Sequence, residues 1–306
     1  MSQTQSVIVR GAGPDLAADL YLPRRGRDLK EPVPAVVTAS GFGGVKEMLL
    51  PVFGRALAQA GIATLAVDYA GFGASGGTPR QDLDPVAQIK DMRRGIDHLC
   101  QDPRIDARRI GVFGPSMCGA HTLVIAGSDP RVRAAVSLVP FVRAPRTPPN
   151  PRMGLALVAD ALRSLVGLPS ERVRAAGLPG ERAVMTSDGA LAWIEDISKD
   201  APSFRNEITV RSLARLARYR PMRMLGPAGI RVPLRTILSR SDGITPAAEA
   251  RAELRHVQHD CVEFPGTHFE LFGEHLDEVL RLTVDWFVEH LAVKREGADT
   301  QPLSDA

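Results

Sequence analysis

Three residues of this 306-residue chain could do chemistry together: a serine, an aspartate and a histidine. Gly114-Pro115-Ser116-Met117-Cys118-Gly119 stands between a compact apolar run, 109–113, and an apolar segment, 120–126. A serine on so tight a strand-to-helix turn has its hydroxyl pushed out at the carboxyl end of the strand, and small neighbours are needed because the backbone crowds itself there. The helix that follows aims free N–H groups and its positive dipole end towards that oxygen, which favours a developing negative charge. The pattern departs from G-x-S-x-G at one place: Cys118 stands where the second glycine is usual, with Gly119 directly after it. An ordinary strand–turn–helix serine looks similar in isolation, so the partners decide.

Serine is a poor nucleophile unless a base removes its proton and a third group orients that base. The order Ser…Asp…His goes with such an elbow. Asp242, in Ser241-Asp242-Gly243-Ile244-Thr245-Pro246, follows the apolar run 232–238; His268, in Pro265-Gly266-Thr267-His268-Phe269, follows the run 261–264. Each candidate therefore comes after a strand, at the sheet edge where open α/β sheets carry their sites. His268 would take the Ser116 proton, and Asp242 would fix its tautomer and stabilise the imidazolium. Taken singly, Asp242 could cap a turn and His268 the last helix; order and position together favour the triad. Glu270 is a weaker acid candidate, and Asp260 precedes its strand. An oxyanion hole would combine the N–H of Met117 with one from the loop after an early strand. In Ser40-Gly41-Phe42-Gly43-Gly44 that second donor is Phe42 N–H, with Gly43 the alternative and a plain glycine turn the simpler reading.

The elements that must hold these residues alternate. Segments 6–10 and 16–22 read as an opening hairpin. Strand-like runs at 35–39, 62–67, 109–113 and 134–139 alternate with helical spacing at 46–60 and 85–100, which argues for a mostly parallel sheet covered on both faces. The alternation stops at Pro140. Residues 141–227 hold prolines and helical stretches (Leu155, Val158, Leu162 and Leu165 on one stripe; 208–219 as another helix) without convincing strands. Strand grammar resumes at 232–238 and 261–264, with helices from Pro246 and near 276–291. The expected organisation is an α/β core of 1–140 and 228–295, an inserted helical cap of 141–227, and a flexible tail of 296–306.

Composition excludes several classes. Hydrophobic residues are 44% and charged residues 24%, ordinary for a globular protein and wrong for a disordered one. A formal charge of +3 without a block of like charges leaves no nucleic-acid footprint. Three widely spaced cysteines without a CxxC pair argue against a disulfide framework or zinc site and for a reducing compartment. The first residues lack a basic segment followed by an apolar run, and no stretch reaches the ~18 apolar residues of a membrane span; a cytoplasmic protein away from membranes is expected. Gly71-Phe72-Gly73-Ala74-Ser75-Gly76 matches G-x-G-x-x-G with Asp91 downstream, but no helical periodicity begins in the loop, so a dinucleotide site is not expected. No metal or organic cofactor is implied. Within 141–227 the charge is +6, with Arg211, Arg215, Arg218, Arg220 and Arg223 late in the segment. They read first as a solvated face, or as a lure for an anionic substrate or carrier.

Over roughly residues 5–292 the chain resembles the α/β-hydrolase family. Asp68-Tyr69-Ala70-Gly71-Phe72-Gly73-Ala74-Ser75 is similar to that family's loop after its fourth strand, residues 114–119 to its elbow, and Asp242 and His268 fall at its acid and base positions. The resemblance is greatest to capped bacterial serine hydrolases grouped with dienelactone-hydrolase-like and S15-peptidase-like esterases. Ser116 replaces the cysteine of dienelactone hydrolases, and Ser40-Gly41 replaces the family's frequent His-Gly. The resemblance implies hydrolysis of a small-molecule ester or thioester through an acyl-enzyme on Ser116. The same residues would serve acyl or polyketide transfer to an alcohol or amine, carbon–carbon bond hydrolysis, or a non-catalytic binding scaffold. An acyl carrier protein or coenzyme A thioester is a conceivable donor. Phe141, Met185, Trp193 and Phe204 could line the acyl pocket, although cap aromatics also simply pack helix on helix.

Overall fold

The computed structural model describes residues 3–23, 31–144 and 151–291. Strands β1 (Gln3–Val9) and β2 (Leu16–Leu22) form the antiparallel hairpin. There follow β3 (Val33–Ala39), α1 (Leu50–Gln59), β4 (Ala63–Val67), α2 (Pro85–Gln101), β5 (Ile105–Pro115), α3 (Met117–Ala126) and β6 (Val132–Leu138). Beyond them an insertion carries α4 (Pro151–Leu165), β7 (Arg172–Ala176), β8 (Ala183–Met185), α5 (Ala190–Ile197), β9 (Ile208–Thr209), α6 (Val210–Arg218) and a 3-10 turn, Pro221–Met224. The chain then returns through β10 (Leu234–Ser239), α7 (Ala247–Leu254), β11 (Asp260–Phe264), a 3-10 turn at Glu270–Phe272, and α8 (Leu276–His290).

One eight-stranded sheet runs β1-β2-β4-β3-β5-β6-β10-β11. It is parallel from β4 to β11, and β2 runs against both of its neighbours, β1 and β4. Every residue of β3 and β4 is buried, as expected of central strands covered on both faces. Phe53 and Leu57 of α1 pack with Val279 and Phe287 of α8 on one face. Ile89, Met92 and Ile96 of α2 pack with Leu123 and Val124 of α3 on the other. Asp84 starts α2: its Oδ1 accepts the N–H groups of Val86 and Ala87 at 2.9 and 3.3 Å, with Pro85 at the first helical position. Such a cap is worth about 1 kcal/mol.

Strand order decides where a site can be. From β3 the chain crosses to β4 on one side and then to β5 on the other. The loops after β3 and β5 therefore diverge over a crevice at the carboxyl edge, the usual ligand position in open α/β sheets.

The insertion differs from the purely helical segment expected of 141–227. Strands β7, β8 and β9 make a separate three-stranded sheet in the order β8-β7-β9. They have five, three and two residues, too short for alternation to show in a sequence. The 208–219 stretch is correspondingly split between β9 and α6. The stripe Leu155, Val158, Leu162 and Leu165 does lie on a helix, α4, but faces solvent, Leu165 being 83% exposed. Spacing reveals an apolar face; it does not say what covers it. The expected tail, 296–306, lies outside the described residues. Among the described residues no helix is long and apolar enough to cross a membrane, and no cluster of three His, Cys, Asp or Glu could hold a metal ion.

Candidate active site

Ser116 sits between the last residue of β5 and the first of α3 with φ 55° and ψ −116°. That conformation costs a non-glycine residue about 1–3 kcal/mol and persists because its surroundings fix it. Ser116 N–H donates to Leu138 O at 2.7 Å, and Phe141 N–H donates to Ser116 O at 3.1 Å. The turn closes only because two side chains are missing. A Cβ on Gly114 would run into the backbone and Sγ of Cys118, and one on Gly119 would lie 2.9 Å from Leu138 O. Cys118 thus fits where a glycine is usual because its sulfur occupies the space Gly114 leaves empty. Burial pushes its thiol up to about 12, so it stays protonated and cannot compete as a nucleophile.

Asp242 and His268 meet at the same edge. His268 Nδ1 lies 2.6 Å from Asp242 Oδ2, and the aspartate side chain is wholly buried. Burial alone would raise the Asp242 carboxyl. The hydrogen bond and charge of His268, together with the Thr245 N–H and hydroxyl, outweigh it and hold the group below the usual carboxylate range. The loop after β10 supplies those donors: the N–H groups of Ile244 and Thr245 reach Oδ1 at 2.8 and 2.7 Å. Thr245 Oγ1 lies 2.8 Å from Oδ2 and 3.2 Å from His268 Nδ1. Sequence reasoning missed Thr245, although its place three residues after Asp242 is the spacing at which a carboxylate collects backbone N–H groups. Glu270 instead accepts the Thr267 N–H at 2.9 Å. Asp260 pairs with Arg235 at the start of β11.

The loop after β3 packs against the elbow. A Cβ on Gly41 would stand 3.2 Å from Ser116 Cβ. Among the described residues no protein acceptor takes the N–H of Phe42 or of Met117, so both are free to donate. Asp68 pins the loop further along, accepting the N–H groups of Lys46 at 2.7 Å and Ala74 at 2.9 Å; its burial raises the carboxyl to about 6. The Gly71–Gly76 stretch is thereby a structural loop. Asp91 accepts the Ala70 N–H at 2.9 Å, and the next helix starts only at Pro85.

Ser116 and His268 line one cavity with Met185, Trp193, Ile194 and Phe272. Its space is about 40 Å³, room for a few water molecules. Trp193 stacks on Phe269 at 4.9 Å and lies 5.4 Å from Phe272, and both phenylalanines meet the His268 ring edge-on. The insertion is thus fastened to the histidine loop by aromatic contacts. Of the four residues expected to line an acyl pocket, Met185 and Trp193 line the cavity that also holds Ser116 and His268. Phe141 packs into the main core, and Phe204 packs beside Val45 and Met48. Ile194 and Phe272 went unremarked in the sequence because nothing separates them from ordinary packing residues.

The late arginines lie elsewhere. Arg215 pairs with Asp82 at 3.0 Å and Asp84 at 3.6 Å. With Arg218, Arg220 and Arg223 it lines a groove that shares no residue with the Ser116 cavity.

The sheet order and the strained serine between fifth strand and third helix define an α/β hydrolase. The chain belongs to the serine aminopeptidase, S33 family, whose family model matches residues 30–275. It is 29% identical over 292 residues, covering 92% of this chain and 93% of the relative, to the quorum-quenching protein AidA of Acinetobacter baumannii. It is 28% identical over 237 residues, 71% of each, to the thiohydrolase aneE of Aspergillus aculeatus. Among solved structures, DcsB in complex with its substrate analogue superposes with a TM-score of 0.83 at 24% identity, over 95% of this chain and 100% of that one.

Proposed function

We propose that the chain hydrolyses a small-molecule ester or thioester through a covalent acyl-enzyme on Ser116. One observation carries this reading: a strained, cavity-lining serine faces the same space as a histidine hydrogen-bonded to a wholly buried aspartate. With Nδ1 donating to Asp242, His268 keeps Nε2 as the base. It takes the Ser116 proton as Oγ attacks the carbonyl carbon, and returns it to the departing alcohol or thiol. The oxyanion draws on the N–H groups of Phe42 and Met117. Water, activated by the same nitrogen, then releases the acid and frees Ser116.

In this reading residues 141–227 act as a cap on a core of 1–140 and 228–295. Trp193 and Ile194 of α5 form part of the cavity wall, so they bear on the length of acyl group it accepts. A thioester is favoured over an oxygen ester by the wall of Met185, Trp193, Ile194 and Phe272, which offers the leaving group little polar solvation; the thiohydrolase relative points the same way. Kinship with dienelactone-hydrolase-like and S15-peptidase-like esterases belongs to the same reading, through the elbow and an insertion after β6. So does a reducing compartment, since Cys100, Cys118 and Cys261 are all free thiols.

The test is a panel of acyl thioesters and matched esters of increasing chain length. The wild type should turn over short members fastest, and Trp193→Ala should move the optimum to longer chains. If no member is turned over faster by the wild type than by Ser116→Ala, the reading fails.

A further inference from the structure

We propose that the groove between the start of α2 and the end of α6 is a second binding site, one that takes an organic diphosphate. The groove measures about 470 Å³ and is lined by Arg215, Arg218, Arg220 and Arg223 with Val86 and Met224 among its apolar walls. That size suits a small molecule. Arg215 is neutralised by Asp82 and Asp84, and Asp84 is further occupied with the N–H groups of Val86 and Ala87. Among the described residues no carboxylate pairs with Arg218, Arg220 or Arg223. Elsewhere in the insertion Arg172 pairs with Glu207 and Arg182 with Glu171, while Arg163 and Arg205 donate to carbonyl oxygens.

The negative end of a helix dipole accounts for cations in the last turn of α6, where Arg215 and Arg218 stand. It does not account for Arg223, which lies beyond the helix in the following 3-10 turn. Arg220 donates from Nη1 to Ala217 O and Tyr219 O at 3.1 and 2.7 Å, which holds its guanidinium in place and leaves further donors free. Three guanidinium groups lining one groove, with no carboxylate partner among the described residues, match the charge of a diphosphate, which each can grip in a bidentate way. Val86, 47% exposed, gives the organic part of the ligand an apolar surface. Because the groove shares no residue with the Ser116 cavity, this inference stands whether or not the hydrolase reading does.

A nucleoside diphosphate and coenzyme A both carry an adenosine-linked diphosphate, and titration calorimetry at low salt with pyrophosphate, ADP, adenosine and dephospho-coenzyme A separates them. Pyrophosphate and ADP should bind saturably at one site, ADP at least about 10-fold more tightly than adenosine. Dephospho-coenzyme A, which lacks the 3′-phosphate, binding tighter than ADP assigns the site to a thioester carrier; equal or weaker affinity assigns it to a nucleotide. Arg218→Ser with Arg223→Ser should weaken ADP at least about 10-fold. Arg218→Lys with Arg223→Lys should weaken it less, because the charge survives while the bidentate fork is lost. Turnover of a neutral short-chain ester, and ADP binding by Ser116→Ala, should be unchanged. Absence of saturable ADP binding by the wild type, or affinity in the serine pair within twofold of wild type, overturns the proposal. So does competitive inhibition of ester turnover by ADP that persists in the serine pair.

Discussion

His268 and His121 are both buried, 4% and 0% exposed, and both stand close to the elbow, yet they are built for opposite ends. His121, on α3, has both ring nitrogens engaged by neutral groups: Tyr219 OH at 2.8 Å on Nδ1 and Gln88 Oε1 at 3.0 Å on Nε2. With no anion to compensate, burial pushes it down to about 3, so at neutral pH it is an uncharged strut joining α3 and α2 to the chain just after α6. His268 has one nitrogen on a wholly buried carboxylate and shares a cavity with Ser116. Burial alone makes a histidine structural. An anionic partner on one side and open space on the other are what a histidine needs to act as a base, the role we propose for His268.

Removing that asymmetry should have the largest effect. Asp242→Asn gives His268 a neutral partner, as His121 has, and should lower kcat by about 10⁴ with the fold retained; a loss under tenfold in steady-state kinetics would mean that Asp242 does not orient the base. Thr245→Val keeps the shape but removes a hydroxyl that stabilises the Asp242 carboxylate. We expect about a tenfold lower kcat, little change in KM, and an acid limb of the pH–rate profile displaced upwards, since the lost hydroxyl holds the carboxyl down. An unmoved acid limb would reduce Thr245 to a packing residue.

His121 should matter for stability rather than turnover. In the unfolded chain it charges below about pH 6.5, whereas in the fold it stays neutral down to about 3. The fold therefore keeps the full benefit above pH 6.5 and loses it as the pH falls towards 3. Two pH units into that window, at pH 4.5, the loss is about 3 kcal/mol. Denaturant titrations of His121→Gln should show a flatter decline between pH 7 and 4.5 than the wild type, at nearly unchanged kcat. Equal slopes would show that His121 does not drive the acid sensitivity.

The contrast between the two histidines was only half legible in the sequence. Asp242 and His268 could be singled out because each follows an apolar strand run and the order after Ser116 is informative. His121 sits in the unbroken apolar segment of α3, where a structural histidine carries no pattern of its own. Thr245 escaped because its role is a distance, not a motif. The alternating core elements were readable from periods of two and 3.6. Strands β7 to β9 were not, since two to five residues cannot display a period and their pairing partners lie up to 37 residues apart, as between Arg172 and Thr209. The arginines could be counted but not placed: only the structure separates their groove from the cavity at Ser116.

If Ser116 is the activated nucleophile we propose, covalent labelling with a small fluorophosphonate followed by peptide mass spectrometry should reveal it. We expect a single adduct on Ser116, absent from Ser116→Ala and formed far more slowly in Asp242→Asn. An adduct on another residue, or equal labelling rates for the wild type and Asp242→Asn, would contradict it.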